Sequence, residues 1–239
     1  MSFLNKIFNK KDKKPTRKED PFSEGDLFYC KIDNQYYIYK LLINEDDYQC
    51  YHVLIYSPLN RVPEISDIEK LSVFAHHSPI DKNGFTNPIL LTKTSIKSED
   101  LIGYHEYLRQ TQNPEYYISI ANSYYKNGYS LTTNGKHIEA IDEYSKAIDL
   151  FPQFFEAIDN RAFCKMDLGM FPEAIEDFSL SLKGNTNSLL AEFSIGECHF
   201  KMENYAEAKK HFEIAHNIDK NNETPIKFLE KVDKILNEK

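Results

Sequence analysis

Along this 239-residue chain the spacing of hydrophobic and polar positions changes near residue 113. Before it, from Leu27 to Tyr56, β-branched and aromatic residues cluster between two sets of turn formers, Asp33-Asn34 and Asn44 to Asp47. That pattern predicts strands over about 27–32, 35–43 and 48–56, joined as two hairpins. In the second strand Tyr37, Tyr39, Leu41 and Ile43 share one face and Tyr36, Ile38, Lys40 and Leu42 the other, so both faces carry apolar groups to bury. After a Pro-punctuated connection, KLSVFAHHSPI and NPILLTKT read as a fourth and fifth strand separated by an Asn83-Gly84 turn. Five short antiparallel strands predict a small barrel or a strongly bent sheet. SEDLIGYHEYLRQ then reads as a helix, with Ser98 as its N-cap and Leu101, Tyr104 and Leu108 on its buried face.

Beyond residue 113 the pattern recurs at long range. Ala140, Tyr144, Ala147 and Pro152 are followed 34 residues later by Ala174, Phe178, Ser181 and Thr186, and again by Ala208, Phe212, Ala215 and Lys220. Gly128, Ala162 and Gly196 keep the same period, as do Gly135, Gly169 and Glu203. Small residues at fixed places let two helices cross closely, and the aromatics fill the space beside each crossing. This spacing resembles the tetratricopeptide repeat family, which implies helix-turn-helix units over about 121–154, 155–188 and 189–222. Asn113-Pro114 starts the first helix early, and Thr224-Pro225 opens a capping helix over 224–238 with Leu229, Val232 and Leu236 on one face. Ser181 for alanine, Glu203 for glycine and the missing proline after the second and third units depart from the family pattern.

The expected fold class is therefore α+β. A basic leader, 1–20, precedes a small antiparallel sheet or barrel closed by one helix, 21–112, and an all-α solenoid of three helix pairs with a cap, 113–239.

In the family it resembles, the first helix of each pair lines a concave groove. Carried onto this chain, the first unit supplies Asn122, Tyr125 and Tyr129, and the second Glu156, Asp159, Asn160, Phe163 and Met166. The third supplies Leu190, Phe193, Glu197 and Phe200. Some members hold a chaperone's C-terminal carboxylate in a clamp of Lys, Asn and Arg. Only Asn160 of that clamp matches here, and the cation positions read Tyr125, Leu190 and Ser194. With Glu156, Asp159 and Glu197 nearby, the expected ligand is an apolar, neutral or basic peptide or helix rather than an acidic tail.

Charge sharpens this picture. Residues 1–20 carry seven Lys and Arg against three Asp and Glu, whereas 21–113 carry 8 against 13 and 114–239 carry 14 against 21. An acidic body argues against nucleic acid as a partner, because phosphates need a basic face. In the leader, Phe3, Leu4, Ile7 and Phe8 at helical spacing precede a lysine run, so residues 3–14 could make at most a weak, reversible membrane contact. No apolar run is long enough to span a bilayer and no secretory signal is present, so the expected location is cytoplasmic, with the inner membrane face as the alternative.

Candidate chemistry is sparse. Cys30, Cys50, Cys164 and Cys198 form no C-x-x-C pair and read as reduced thiols. His76 and His77, adjacent on a strand, point to opposite faces and cannot act as one unit. Cys50 and His52 share a strand face without the further ligands a metal needs, and no glycine-rich phosphate loop occurs. No cofactor, metal or catalytic residue is expected. Gly25, Asp26 and the hairpins through Tyr56 resemble the opening of some bacterial toxin-immunity proteins. The leading expectation is a non-enzymatic protein-binding adaptor. An immunity protein neutralising one specific toxin is the alternative, and an enzyme housed in residues 22–112 the remaining one.

Overall fold

Turn chemistry sets the first hairpin. β1 (Leu27–Ile32) and β2 (Gln35–Glu45) pair antiparallel with Ile32 opposite Gln35. The two residues between them turn through a left-handed Asp33 at φ 53°, a conformation whose strain a short polar side chain tolerates. The structure is a computed structural model that describes residues 21–238. The leader 1–20, with the membrane contact expected of residues 3–14, lies outside the described residues.

β3 (Cys50–Tyr56) pairs with β2, and β4 (Val73–Asp81) with β3. β5 (Ile89–Thr92) does not return beside β4 as a hairpin would; it pairs with β1, giving an open sheet of order β4-β3-β2-β1-β5. The connection from β4 therefore runs from one sheet edge to the other. On the way Phe85 packs onto Phe28 and Tyr39 with ring centroids 5.1 and 5.2 Å apart. A local hairpin would leave that aromatic face, which also holds Phe22, Leu41, Tyr51 and Val53, in contact with water.

A register shift between Leu41 and Ile43 changes the expected division of faces. Ile43 packs in the same cluster as Leu42, because a bulge breaks strict alternation. That second face buries Leu27, Ile38, Leu42, Leu54 and Tyr56 against Leu101, Tyr104 and Leu108. Leu101 ends a 3-10 turn, Ser98–Leu101, that leads into α1 (Ile102–Thr111). Ser98 is not the N-cap expected of it: the Asp100 carboxylate accepts from the Lys97 backbone N–H at 2.8 Å, and Ser98 N–H turns to Asp142. Asp100 also holds the buried Lys40 ammonium at 2.5 Å.

The helical half is built from α2 (Pro114–Thr133), α3 (His137–Leu150), α4 (Phe155–Asp167), α5 (Phe171–Gly184), α6 (Leu189–Lys201), α7 (Tyr205–Ile218) and α8 (Glu223–Asn237). The second helices of the pairs start at 137, 171 and 205, and α4, α6 and α8 at 155, 189 and 223, each step being 34 residues. α8 thus stands where the first helix of a fourth pair would stand. Its cap is Asn222, whose side chain accepts from Thr224 N–H at 2.9 Å, rather than Thr224 itself. At the other end Asn113 caps α2 as expected, accepting from Tyr116 N–H at 2.9 Å. Tyr144, Phe178 and Phe212 are fully buried beside the crossings. Burial of this kind gives each ring roughly 2–3 kcal/mol. The cluster beneath the sheet extends to Ala121 of α2 and Leu150 of α3, so sheet and first hairpin share one core.

Candidate functional site

The groove positions sit on α2, α4 and α6, and their environments differ. Asn122, Tyr129, Glu156 and Leu190 are exposed, Tyr129 by 59% and Leu190 by 50%. The other eight are half-buried, and several are engaged within the solenoid. Tyr125 packs on Tyr144 and Phe154, at 5.9 and 4.9 Å between centroids, and its hydroxyl accepts from Asn160 Nδ2 at 3.2 Å. Phe163 meets Phe178 edge-on at 5.1 Å. Phe193 and Phe200 both pack on Phe228 of α8, at 5.1 and 5.9 Å. These aromatics help hold neighbouring helices together, and the fully accessible anchors among the twelve are Tyr129 and Leu190.

The sheet unit packs on one groove helix, at Tyr117, Ile120, Ala121 and Tyr124 of α2, residues that neighbour Asn122 and Tyr125. Its polar ties to the solenoid run instead to α3, a second helix. Ser98 N–H donates to Asp142 at 2.8 Å, the buried His105 ring nitrogen Nδ1 lies 2.6 Å from Asp149, and Arg109 donates to the Asp149 backbone carbonyl. The hydrogen-bond and ring partners of Tyr125, Asn160, Phe163, Phe193 and Phe200 named above all belong to the solenoid.

Two groove carboxylates are raised above their ordinary range. Burial pushes Asp159 up, Glu156 and Asp177 add to it, and the Ser181 hydroxyl only partly offsets them. Asp159 Oδ1 is buried and accepts no hydrogen bond among the described residues. Burial likewise raises Glu197, tempered by Lys201. Of the cations on α4, Arg161 forks onto Asp177 at 2.9 and 2.7 Å and Lys165 reaches the same carboxylate at 2.7 Å. The clamp positions behave as their residue types dictate: Ser194 is buried, Leu190 is exposed and apolar, and the Asn160 amide is spent on Tyr125 and the Glu156 carbonyl.

In the sheet unit the structure brings together residues that sequence spacing could not. His52 Nδ1 lies 2.7 Å from His77 Nε2, and His52 Nε2 lies 3.0 Å from Glu45 Oε2. His76 stays exposed, on the opposite face from His77. Burial, then the His52 ring, holds His77 down to about 4. The four thiols are free and all raised by burial, Cys198 to about 12. Among the described residues no three His, Cys, Asp or Glu side chains are placed to hold a metal, and no helix is long and apolar enough to cross a membrane.

Comparison with known proteins bears on the helical half. A model of the tetratricopeptide repeat family matches residues 121–154. DnaJ homolog subfamily C member 7 of Mus musculus is 30% identical over 102 residues, 43% of this chain and 21% of that protein. Hsp70-Hsp90 organizing protein 3 of Arabidopsis thaliana is 30% identical over 111 residues, 43% of this chain and 20% of its own. The chain thus spans 21% or less of the length of these relatives. Among solved structures, the first TPR of Spaghetti (RPAP3) bound to HSP90 peptide SRMEEVD is 29% identical with a TM-score of 0.46, covering 48% of this chain and 92% of that one. The C-terminal helical half is a tetratricopeptide-repeat solenoid.

Proposed function

We propose that the protein is a non-enzymatic interaction module whose solenoid grips an apolar, neutral or basic peptide or helix along α2, α4 and α6. The observation that supports this most directly is that the sheet unit, docked on α3 through Asp142 and Asp149 and on α2 at Tyr117 to Tyr124, leaves Tyr129 and Leu190 exposed on the first helices. A relative named for organizing Hsp70 and Hsp90 fits a protein-binding role. An acidic chaperone tail is a poorer ligand for this groove, because Tyr125, Leu190 and Ser194 supply no positive charge where a carboxylate would sit. Asp159 and Glu197, raised by burial, gain from a cation that arrives with the ligand.

Fluorescence anisotropy on the full chain tests this reading, with amphipathic peptide pools matched in apolar content and differing in net charge. Basic and neutral pools should bind more tightly than the acidic pool. Tyr129→Ala with Leu190→Ala should weaken binding about tenfold or more with unchanged helical circular dichroism. Preferential binding of the acidic pool, or of a free C-terminal acid over its amide, would defeat the reading.

A further inference from the structure

A second concave feature lies where the sheet meets the start of the solenoid. A cleft of about 610 Å³ opens between the β2–β3 turn and the α1–α2 junction. Its lining includes Glu45, Asp47, Tyr48, His52, Tyr107 and Tyr116 and contains no Lys or Arg. Clefts of this size are ordinary for small ligands. The combination of ring faces, carboxylates and absent cations is selective: π-faces and acids both attract positive charge.

The Glu45 carboxylate is held in place rather than left to wander. Its Oε2 is bonded to His52, which is itself bonded to His77. His52 is buried, and Tyr107 packs at a tilt against His77 with centroids 4.7 Å apart, so the floor of the cleft is packed and preorganised. His77, held near 4, is neutral at pH 7 and adds no positive charge behind Glu45. Lys82, which follows β4, is bonded to Asp46 of the β2–β3 turn at 2.6 Å.

We propose that this cleft binds an alkylammonium ion, with Glu45 as its fixed counter-ion, Asp47 at the rim, and Tyr48, Tyr107 and Tyr116 as the ring surfaces around the cation. The site is separate from the solenoid groove and independent of it. The ammonium group is either that of a free amine or that of a lysine side chain on a peptide.

Saturation-transfer NMR on the full chain, with n-butylammonium and its neutral analogue 1-butanol as probes, tests the proposal. Butylammonium should bind saturably and about tenfold or more tightly than butanol, since only the charged probe gains from Glu45 and the rings. Glu45→Gln should remove most of that preference. Tyr116→Ala and Asp47→Asn, at exposed rim positions that leave the core intact, should each weaken it. Tyr129→Ala with Leu190→Ala in the groove should leave it unchanged. A blocked lysyl tripeptide, compared with butylammonium, assigns the source by whichever binds more tightly. Equal binding of the amine and the alcohol, absence of saturable amine binding, or indifference to both rim substitutions and Glu45→Gln would overturn the proposal.

Discussion

Gly128 and Tyr144 leave no room between them for a methyl group: a Cβ on Gly128 would stand 2.8 Å from the Tyr144 ring. The contact recurs two repeats later, where a Cβ on Gly196 would stand 2.6 Å from the Phe212 ring. Both rings are fully buried and cannot swing away. The helix crossing in these two units is set by the absence of one carbon atom.

Gly128→Ala and Gly196→Ala should therefore destabilise the protein, although alanine is the better helix former. Overpacking a buried ring costs about 1–3 kcal/mol, against about 1 kcal/mol gained from helix propensity. Ala162, at the matching place in the second unit, already carries the methyl group, and Ala162→Gly should cost about 1 kcal/mol. Chemical denaturation of the three variants checks this, and a stabilised Gly128→Ala protein would show the crossing to be looser than described.

Glu203 offers the opposite test. It adopts φ 61° at the place where Gly135 and Gly169 take 72° and 75°, so a branched-off side chain is held in the left-handed region. Glu203→Gly should raise stability by about 1 kcal/mol, since glycine removes a strain of about 1–2 kcal/mol at some entropic cost in the unfolded chain. A thermal melt that moves downward would contradict it.

Lys40 and Asp100 form a buried pair beneath the sheet, 8% and 11% exposed at their side chains. Asp100→Ala should cost about 3–5 kcal/mol by leaving the ammonium unpaired, whereas Lys40→Met with Asp100→Ala should recover much of the loss. Asp100→Ala also removes the bond from Lys97 N–H, so recovery should be incomplete. Equal stability of the single and double variants would mean that the charge itself costs nothing there.

Asp159 should carry a pH signature. Its folded-state pKa lies above its ordinary value because burial disfavours the charge, so the group opposes folding at pH values above that raised pKa. The penalty fades as pH falls below the unfolded carboxylate value. Asp159→Asn should accordingly raise the melting temperature at pH 7, with a smaller gain near pH 4. A gain that grows toward acid would reverse the sign and refute the assignment.

The 34-residue period was legible in the sequence because a repeat's contacts are short-range. Tyr144 fills space beside Gly128, and both belong to one helical hairpin, so the residue types alone report the crossing. The first two hairpins were legible for the same reason, their turns lying between adjacent strands. The groove positions could be assigned to helices through family resemblance. Which of them face solvent could not, since Phe193 and Phe200 are covered by Phe228, a residue of α8.

The sequence by itself determined the solenoid, the strand segments and the acidic character of both halves, because each is written in local spacing or in composition. Only the tertiary structure decided that β5 joins β1, that Ile43 changes face, that His52 meets His77, and that α1 ties the sheet unit to α3. The Ile43 change comes from a register shift within one hairpin, which residue types do not announce, and the others depend on contacts between segments far apart in the chain, where burying the Phe28 face or satisfying Asp149 outweighs any local preference.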